Sequence, residues 1–166
     1  MTGASFAGIA DLAAGPQPLV YFAVGSSGNR DLVLHVLAGL GRADCQVLAP
    51  VRSHLRQEDL ETLPRNVHVT DWLPAHQLGD AVDLAITHGG EGTVQTSCVQ
   101  GWPFIGIPLQ LEQRFNVQRC VAFGSARLVS QKEARATDWT ALVREALADE
   151  VMRSRARRMA ELMEGL

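Results

Sequence analysis

The sequence predicts an α/β fold: a doubly wound, Rossmann-like parallel sheet of about six strands with helices on both faces. Three observations carry this expectation. Short, β-branched apolar runs alternate with segments of helical spacing along nearly the whole chain. The first run, Leu19 to Val24, is continuously apolar, as a central strand covered on both faces must be. Several runs end in glycine-containing turns from which a helix starts, above all Gly25–Asn29 and His88–Thr93.

The elements follow in order. After the first strand, Asp31 to Leu40 has helical spacing, with Leu32, Val36 and Leu40 on one face, and Gly41 stops it. Cys45 to Ala49 is a second strand ended by Pro50, and Ser53 to Leu63 reads as one weak helix closed by Pro64. Val67 to Val69 is a short third strand, followed by Asp71-Trp72-Leu73-Pro74 and one or two helical turns over Ala75 to Ala81. Val82 to Thr87 is the fourth strand, and a helix over Thr93 to Gln100 ends at Gly101-Trp102-Pro103. Phe104 to Ile107 is the fifth strand, Gln113 to Phe123 a helix capped by Gly124, and Ala126 to Val129 the sixth strand. Helices near Asp138–Leu147 and Glu150–Met163 complete the chain. Residues 1–18, with Gly15-Pro16-Gln17-Pro18 as a breaker cluster, read as a linker or N-terminal extension ahead of one domain over 19–166.

Composition narrows the functions available. At 166 residues and 46% hydrophobic content, one domain can bury a full core. A net charge of −3 leaves no nucleic-acid footprint, and no apolar run is long enough to span a bilayer, so no membrane insertion is expected. Three cysteines without a CxxC pair are expected to be reduced thiols in a cytoplasmic protein, with neither disulfide nor zinc.

The strongest chemical signal is His88-Gly89-Gly90-Glu91-Gly92-Thr93. Glycines there let a bulky anion approach the backbone, and the following helix brings its free N–H groups and dipole to the same point. Thr93 can cap the helix or donate to a phosphate, and His88 can hydrogen-bond a phosphate through either ring nitrogen. The same residues also suit a plain tight turn with His88 as a cap. Glu91 would repel a phosphate and is expected to point to solvent. Gly25-Ser26-Ser27-Gly28 is a second polar glycine loop able to bind phosphate. It lacks GxGxxG, GxxxxGK[ST] and GxSxG spacing, so a dinucleotide fingerprint, a P-loop and a serine nucleophile elbow are not supported.

Trp72 offers a stacking face, although a Trp before Leu-Pro also suits a core. The Glu112-Gln113 pair, beyond the fifth strand, offers acceptors and donors to neighbouring sugar hydroxyls, or is solvated loop surface. His35, His54 and His68 have no metal-ligand spacing and read as surface or packing residues, and the arginines at 153, 155, 157 and 158 read as a solvated helix face.

Taken together, these loops resemble the C-terminal, nucleotide-sugar-binding half of GT-B glycosyltransferases of the UDP-glycosyltransferase-like superfamily, in its bacterial natural-product and macrolide branch. The resemblance runs from about Leu19 to Leu166. It rests on the opening strand and Gly-Ser loop, the aromatic-x-Pro at Trp72, the Thr87-to-Thr93 signature THGGEGT, the Gly101–Pro108 run and the Glu112-Gln113-x-x-Asn116 element. By that resemblance the chain is one half of a GT-B fold, and 19–166 is its donor-binding domain. Ser26, Ser27, His88, Gly90, Gly92 and Thr93 would contact the donor diphosphate, with His88 and Thr93 stabilising the leaving group. Trp72 would stack on the base, and Glu112 and Gln113 would hold the sugar.

Two positions depart from the family pattern. Thr96 stands where many members carry the Glu that grips the ribose, and Ala75 where many carry Gln, so dTDP is as suitable a nucleotide as UDP. The resemblance implies an inverting hexosyltransferase that uses a UDP- or dTDP-sugar, a small-molecule acceptor and no cofactor or metal. The acceptor domain and catalytic base would come from an N-terminal domain or partner subunit. This chain would hold no catalytic residue of its own and be inactive alone. Other readings are a stand-alone donor-binding subunit of a two-chain enzyme and a non-catalytic nucleotide-sugar-binding module.

Overall fold

The computed structural model describes residues 6–166. Of the expected extension over 1–18, residues 1–5 lie outside the described residues. Phe6–Ala14 forms a helix, α1, whose Ile9 belongs to the same buried cluster as Leu19 and Tyr21.

Six strands form one parallel sheet: β1 (Leu19–Ala23), β2 (Gln46–Ala49), β3 (Val67–Val69), β4 (Leu84–Thr87), β5 (Phe104–Gly106) and β6 (Ala126–Leu128). Their order is β3-β2-β1-β4-β5-β6. Register pairs Val20 with Val47 and Leu84, and Ile86 with Ile105. The order reverses direction between β1 and β4. At such a switch point the two following loops leave on opposite sides and open a crevice at the carboxyl edge.

The helices are α2 (Arg30–Leu40), α3 (Gln57–Glu61), α4 (Glu91–Gln100), α5 (Leu111–Phe123), α6 (Gln131–Ala134), α7 (Trp139–Leu147) and α8 (Glu150–Glu164). Side chains alternate across the sheet, so each strand feeds two cores. On one face Val20, Phe22, Val47, Leu84, Ile86 and Ile105 join Leu32, Val36 and Leu40 of α2 and Trp139 and Val143 of α7. On the other, Leu19, Tyr21, Ala85 and Phe104 join Val94 of α4 and Val117 and Cys120 of α5. Burial on both faces explains why β1 is apolar throughout. No helix among the described residues is long and apolar enough to cross a membrane.

Two expected elements differ. The helix over Ser53 to Leu63 is split into a single turn, Arg52–His54, and α3, with Leu55 and Arg56 extended between them. Asp59 drives the break: its Oδ2 accepts from the Arg56 backbone N–H at 2.8 Å, starting a new helix there. The same carboxylate takes both prongs of the Arg30 guanidinium, at 2.8 and 2.7 Å. The start of α5 is also earlier than expected, at Leu111. A short helix, α6, was not foreseen. Its Ser130 and Glu133 cap one another across three residues.

The Arg30 pair makes a pH prediction. Hydrogen bonding to Arg30, then to the Arg56 backbone, holds the Asp59 carboxyl down at about 2. A depressed folded-state value stabilises fully above the ordinary aspartate value of 3.8 and is lost as pH falls toward 2. Asp59→Asn should therefore be less stable than wild type at neutral pH, with the gap closing between pH 4 and pH 2. Thermal unfolding followed by circular dichroism checks this, and a gap that stays constant with pH would contradict it.

Candidate functional site at the sheet switch point

The switch-point crevice is a cavity of about 500 Å³. Its walls come from β1 (Tyr21, Ala23), the turn after it (Gly25, Ser26), the loop after β2 (Pro50, Ser53), the aromatic loop (Trp72, Leu73, Ala75, His76) and the first turns of α4 (Gly92, Thr93, Thr96). Four residues expected from the sequence thus share one cavity: Ser26, Trp72, Gly92 and Thr93.

Trp72 is 81% exposed, so it is not a core residue. An indole left open at a cavity rim is unfavourable in water and suited to a flat partner.

The other expected site residues, Ser27, His88, Gly90, Glu112 and Gln113, do not line the cavity, and His88 lies behind its glycines. The ring is buried, and it packs between two glycines. A Cβ on Gly90 would lie 2.5 Å from its Nε2, and one on Gly25 would lie 2.9 Å from its Cε1. Both glycines are therefore required by close approach to the imidazole, and Gly25 also has φ +57°. Burial lowers the His88 pKa from its ordinary value, an effect partly offset by the Ala23 backbone. Nδ1 is buried without a hydrogen-bond partner among the described residues.

Gly90 caps α4 with extended backbone and supplies no side-chain cap to this helix end. Its first N–H groups therefore keep their hydrogen-bonding capacity at the cavity wall. Thr93 is tied into the cradle: its hydroxyl donates to the Gly90 carbonyl at 2.9 Å and accepts from Thr87 Oγ1 at 2.9 Å. Thr87 Oγ1 in turn accepts from the Gly89 N–H at 3.2 Å. Glu91 is exposed on the outside of this turn, as expected. Thr96 donates to the Gly92 carbonyl at 2.9 Å, so its hydroxyl proton is spent on its own helix.

Gln113 and Glu112 separate. Both lie in the first turn of α5, not in a loop, because the helix begins at Leu111. Gln113 is buried; its Oε1 accepts from the N–H groups of Leu109 and Gln110 at 2.9 and 3.1 Å, and its Nε2 donates to Ser27 Oγ at 3.3 Å. Its carbonyl oxygen is thus committed to folding the loop, leaving the amide group facing Ser27. Glu112 is exposed.

Three further residues join the site. Thr87 links Gly89 to Thr93, and Asn116 Nδ2 donates to the Gly89 carbonyl at 3.1 Å. The Gln113-x-x-Asn116 spacing puts both amides on one side of α5 and was the available signal for Asn116. His54, expected to be surface or packing, instead hydrogen-bonds through Nε2 to the Gly25 carbonyl at 2.6 Å. A second groove, of about 560 Å³, runs between α4, α5 and α8 past Cys98, Cys120, Phe123, Met159 and Met163. It follows helix flanks and gathers none of the expected site residues.

The family described as "Erythromycin biosynthesis protein CIII-like, C-terminal domain" matches residues 34–165. A PGL/p-HBAD biosynthesis glycosyltransferase of Mycobacterium tuberculosis is 29% identical over 147 residues, which cover 87% of this chain and 33% of that protein. The chain thus spans about a third of the length of that relative. Among solved structures, the glycotransferase of kitacinnamycin superposes with a TM-score of 0.78 at 23% identity, over 92% of this chain and 40% of that one. The glycosyltransferase VinC in complex with dTDP gives 0.77 at 20% identity, over 92% and 39%. The sheet and its flanking helices are those of a GT-B C-terminal domain, and the chain belongs to the erythromycin biosynthesis protein CIII-like C-terminal domain family.

Proposed function

We propose that this chain is the donor-binding half of an inverting glycosyltransferase that uses a dTDP- or UDP-sugar. One observation carries the reading: an open indole, Trp72, and the uncapped N-terminus of α4 wall the same 500 Å³ cavity. A flat stacking face and an anion cradle in one cavity suit a nucleoside diphosphate.

In the reaction, an acceptor hydroxyl attacks the anomeric carbon of the donor sugar while the bond from that carbon to the diphosphate oxygen breaks. The hydroxyl proton passes to a base on the rest of the protein, an N-terminal domain or partner subunit that also holds the small-molecule acceptor. Negative charge grows on the departing diphosphate. The α4 N–H groups and the His88 ring meet it with dipoles already in position, which is how a fixed site lowers such a barrier. These dipoles supply the stabilisation in a scheme that uses no metal. Glu112 and Gln113, in the first turn of α5, are assigned to the sugar, Gln113 through the amide that it directs to Ser27.

The pocket also bears on the nucleotide. Thr96 presents no carboxylate to a ribose 2′-hydroxyl, and its own proton is held by Gly92. Calorimetry should find dTDP bound at least as tightly as UDP. Thr93→Val, which keeps the shape but loses the Thr87–Thr93–Gly90 chain, should weaken dTDP by about three- to tenfold. A wild-type chain that binds neither nucleotide would overturn the reading, and a Thr93→Val chain that binds as wild type would remove Thr93 from it.

A further inference from the structure

We propose that His54 is a positioning residue for diphosphate binding, locking the Gly25–Ser26 peptide so that the Ser26 N–H is presented to the anion. The inference rests on the donor-binding reading above and adds to it a residue outside the cavity wall.

The turn Gly25–Ser27 follows β1 and forms one side of the cavity. It has no side-chain cap and no buried residue, and Gly25 sits in the left-handed region at φ +57°. A glycine at that position tolerates either orientation of the peptide that follows it, so the Gly25–Ser26 unit can turn over with little steric cost. The orientation matters electrically. In a trans peptide the carbonyl and the next N–H point in opposite directions. One orientation gives a phosphate the Ser26 N–H, and the other gives it the Gly25 carbonyl oxygen, which repels it.

His54 decides between them. Its Nε2 donates to the Gly25 carbonyl at 2.6 Å, so that oxygen is already taken. Gly25, Ser26 and Ser53 line the cavity and His54 does not. His54 itself is fixed by the turn Arg52–His54, whose last N–H bonds back to the Val51 carbonyl at 3.0 Å. From the other side, Gln113 reaches Ser27 at 3.3 Å. The turn is thus held by one residue from the loop after β2 and one from α5. The His54 bond is the one that sets the peptide whose N–H faces the anion.

The test compares ligands with and without phosphates. Wild type, His54→Ala and His54→Gln are titrated with dTDP by calorimetry, and with thymidine by ligand-observed NMR. Thermal unfolding of each is recorded. Losing one oriented donor to a charged group should weaken dTDP by about tenfold in His54→Ala. Thymidine affinity should change less than about twofold, because it lacks the group that the Ser26 N–H serves. His54→Gln, which keeps an N–H donor of similar reach, should recover most of the dTDP affinity. Equal dTDP binding by His54→Ala and wild type overturns the proposal. So does a parallel loss of dTDP and thymidine, which marks general damage, and so does a Gln variant as weak as the Ala variant. Failure of the wild type to bind dTDP at all would instead remove the donor-binding reading beneath it.

Discussion

Gly89→Ala is expected to destabilise the domain by about 3 kcal/mol, from left-handed backbone strain and overpacking together. Gly89 has φ +88°, a conformation that costs an L-residue on the order of 1–2 kcal/mol. Its missing side chain also faces occupied space. A Cβ there would lie 2.6 Å from Val117 Cγ2 and 2.8 Å from the Gln113 carbonyl oxygen. Backbone cannot rotate away as a side chain can, so α5 must shift. The shift would strain the Asn116 bond to the Gly89 carbonyl and the Gln113 bond to Ser27, which tie α5 to the site. Urea unfolding should show the loss as a lower midpoint, and thermal melting as a fall of roughly 10 °C. dTDP binding should weaken in the same variant. A loss under about 1 kcal/mol would mean that the loop relaxes and that Gly89 is not a fixed point of the cradle.

Gly89 also shows what the sequence can and cannot tell. The three glycines between His88 and Thr93 mark a turn that opens a helix, and the apolar runs before and after it mark parallel strands. These are local signals with their own periods, so the fold class and the helix-opening turn after β4 were legible. The exposure of Trp72 was not legible, because a lone Trp before Leu-Pro has the same appearance in a core. His54 was not legible at all. Its role depends on the loop after β2 lying beside the turn after β1, a neighbour relation set by strand order and invisible to spacing along the chain. The split before α3 was missed because neither Leu55 nor Arg56 is a helix breaker. What stops the helix is a carboxylate three residues on, Asp59, held in place by Arg30 from another helix. The helix containing Glu112 and Gln113 was placed two residues late for a related reason. Gln110 is not one of the small polar residues that announce a helix start, and the start is made by Gln113 folding back onto Leu109 and Gln110.

Gly92→Ala should separate folding from binding where Gly89→Ala disturbs both. Gly92 lies in the first turn of α4 without a positive φ, and a Cβ there meets nothing within 4 Å. Alanine is the better helix former by up to about 1 kcal/mol, less in a first turn, so the variant should melt at or slightly above the wild-type temperature. Yet the space that Cβ would enter is the cavity itself, since Gly92 lines it beside Thr93. A diphosphate drawn to the uncapped N–H groups of α4 must come within hydrogen-bonding distance of this backbone, and a methyl group on the approach holds it off. The expected result is at least a tenfold loss of dTDP affinity, about 1.4 kcal/mol, in a domain no less stable than before. Thymidine, which has no phosphate to place there, should bind as before. If dTDP binding survives Gly92→Ala unchanged, the anion does not sit over α4. The glycines after His88 would then serve the turn and the imidazole alone: Gly89 because of Val117 and Gln113, Gly90 because of His88, and Gly92 for no reason that packing supplies. No atom of the described residues requires a glycine at 92, so a loss of dTDP affinity in Gly92→Ala would report on a ligand at this helix end.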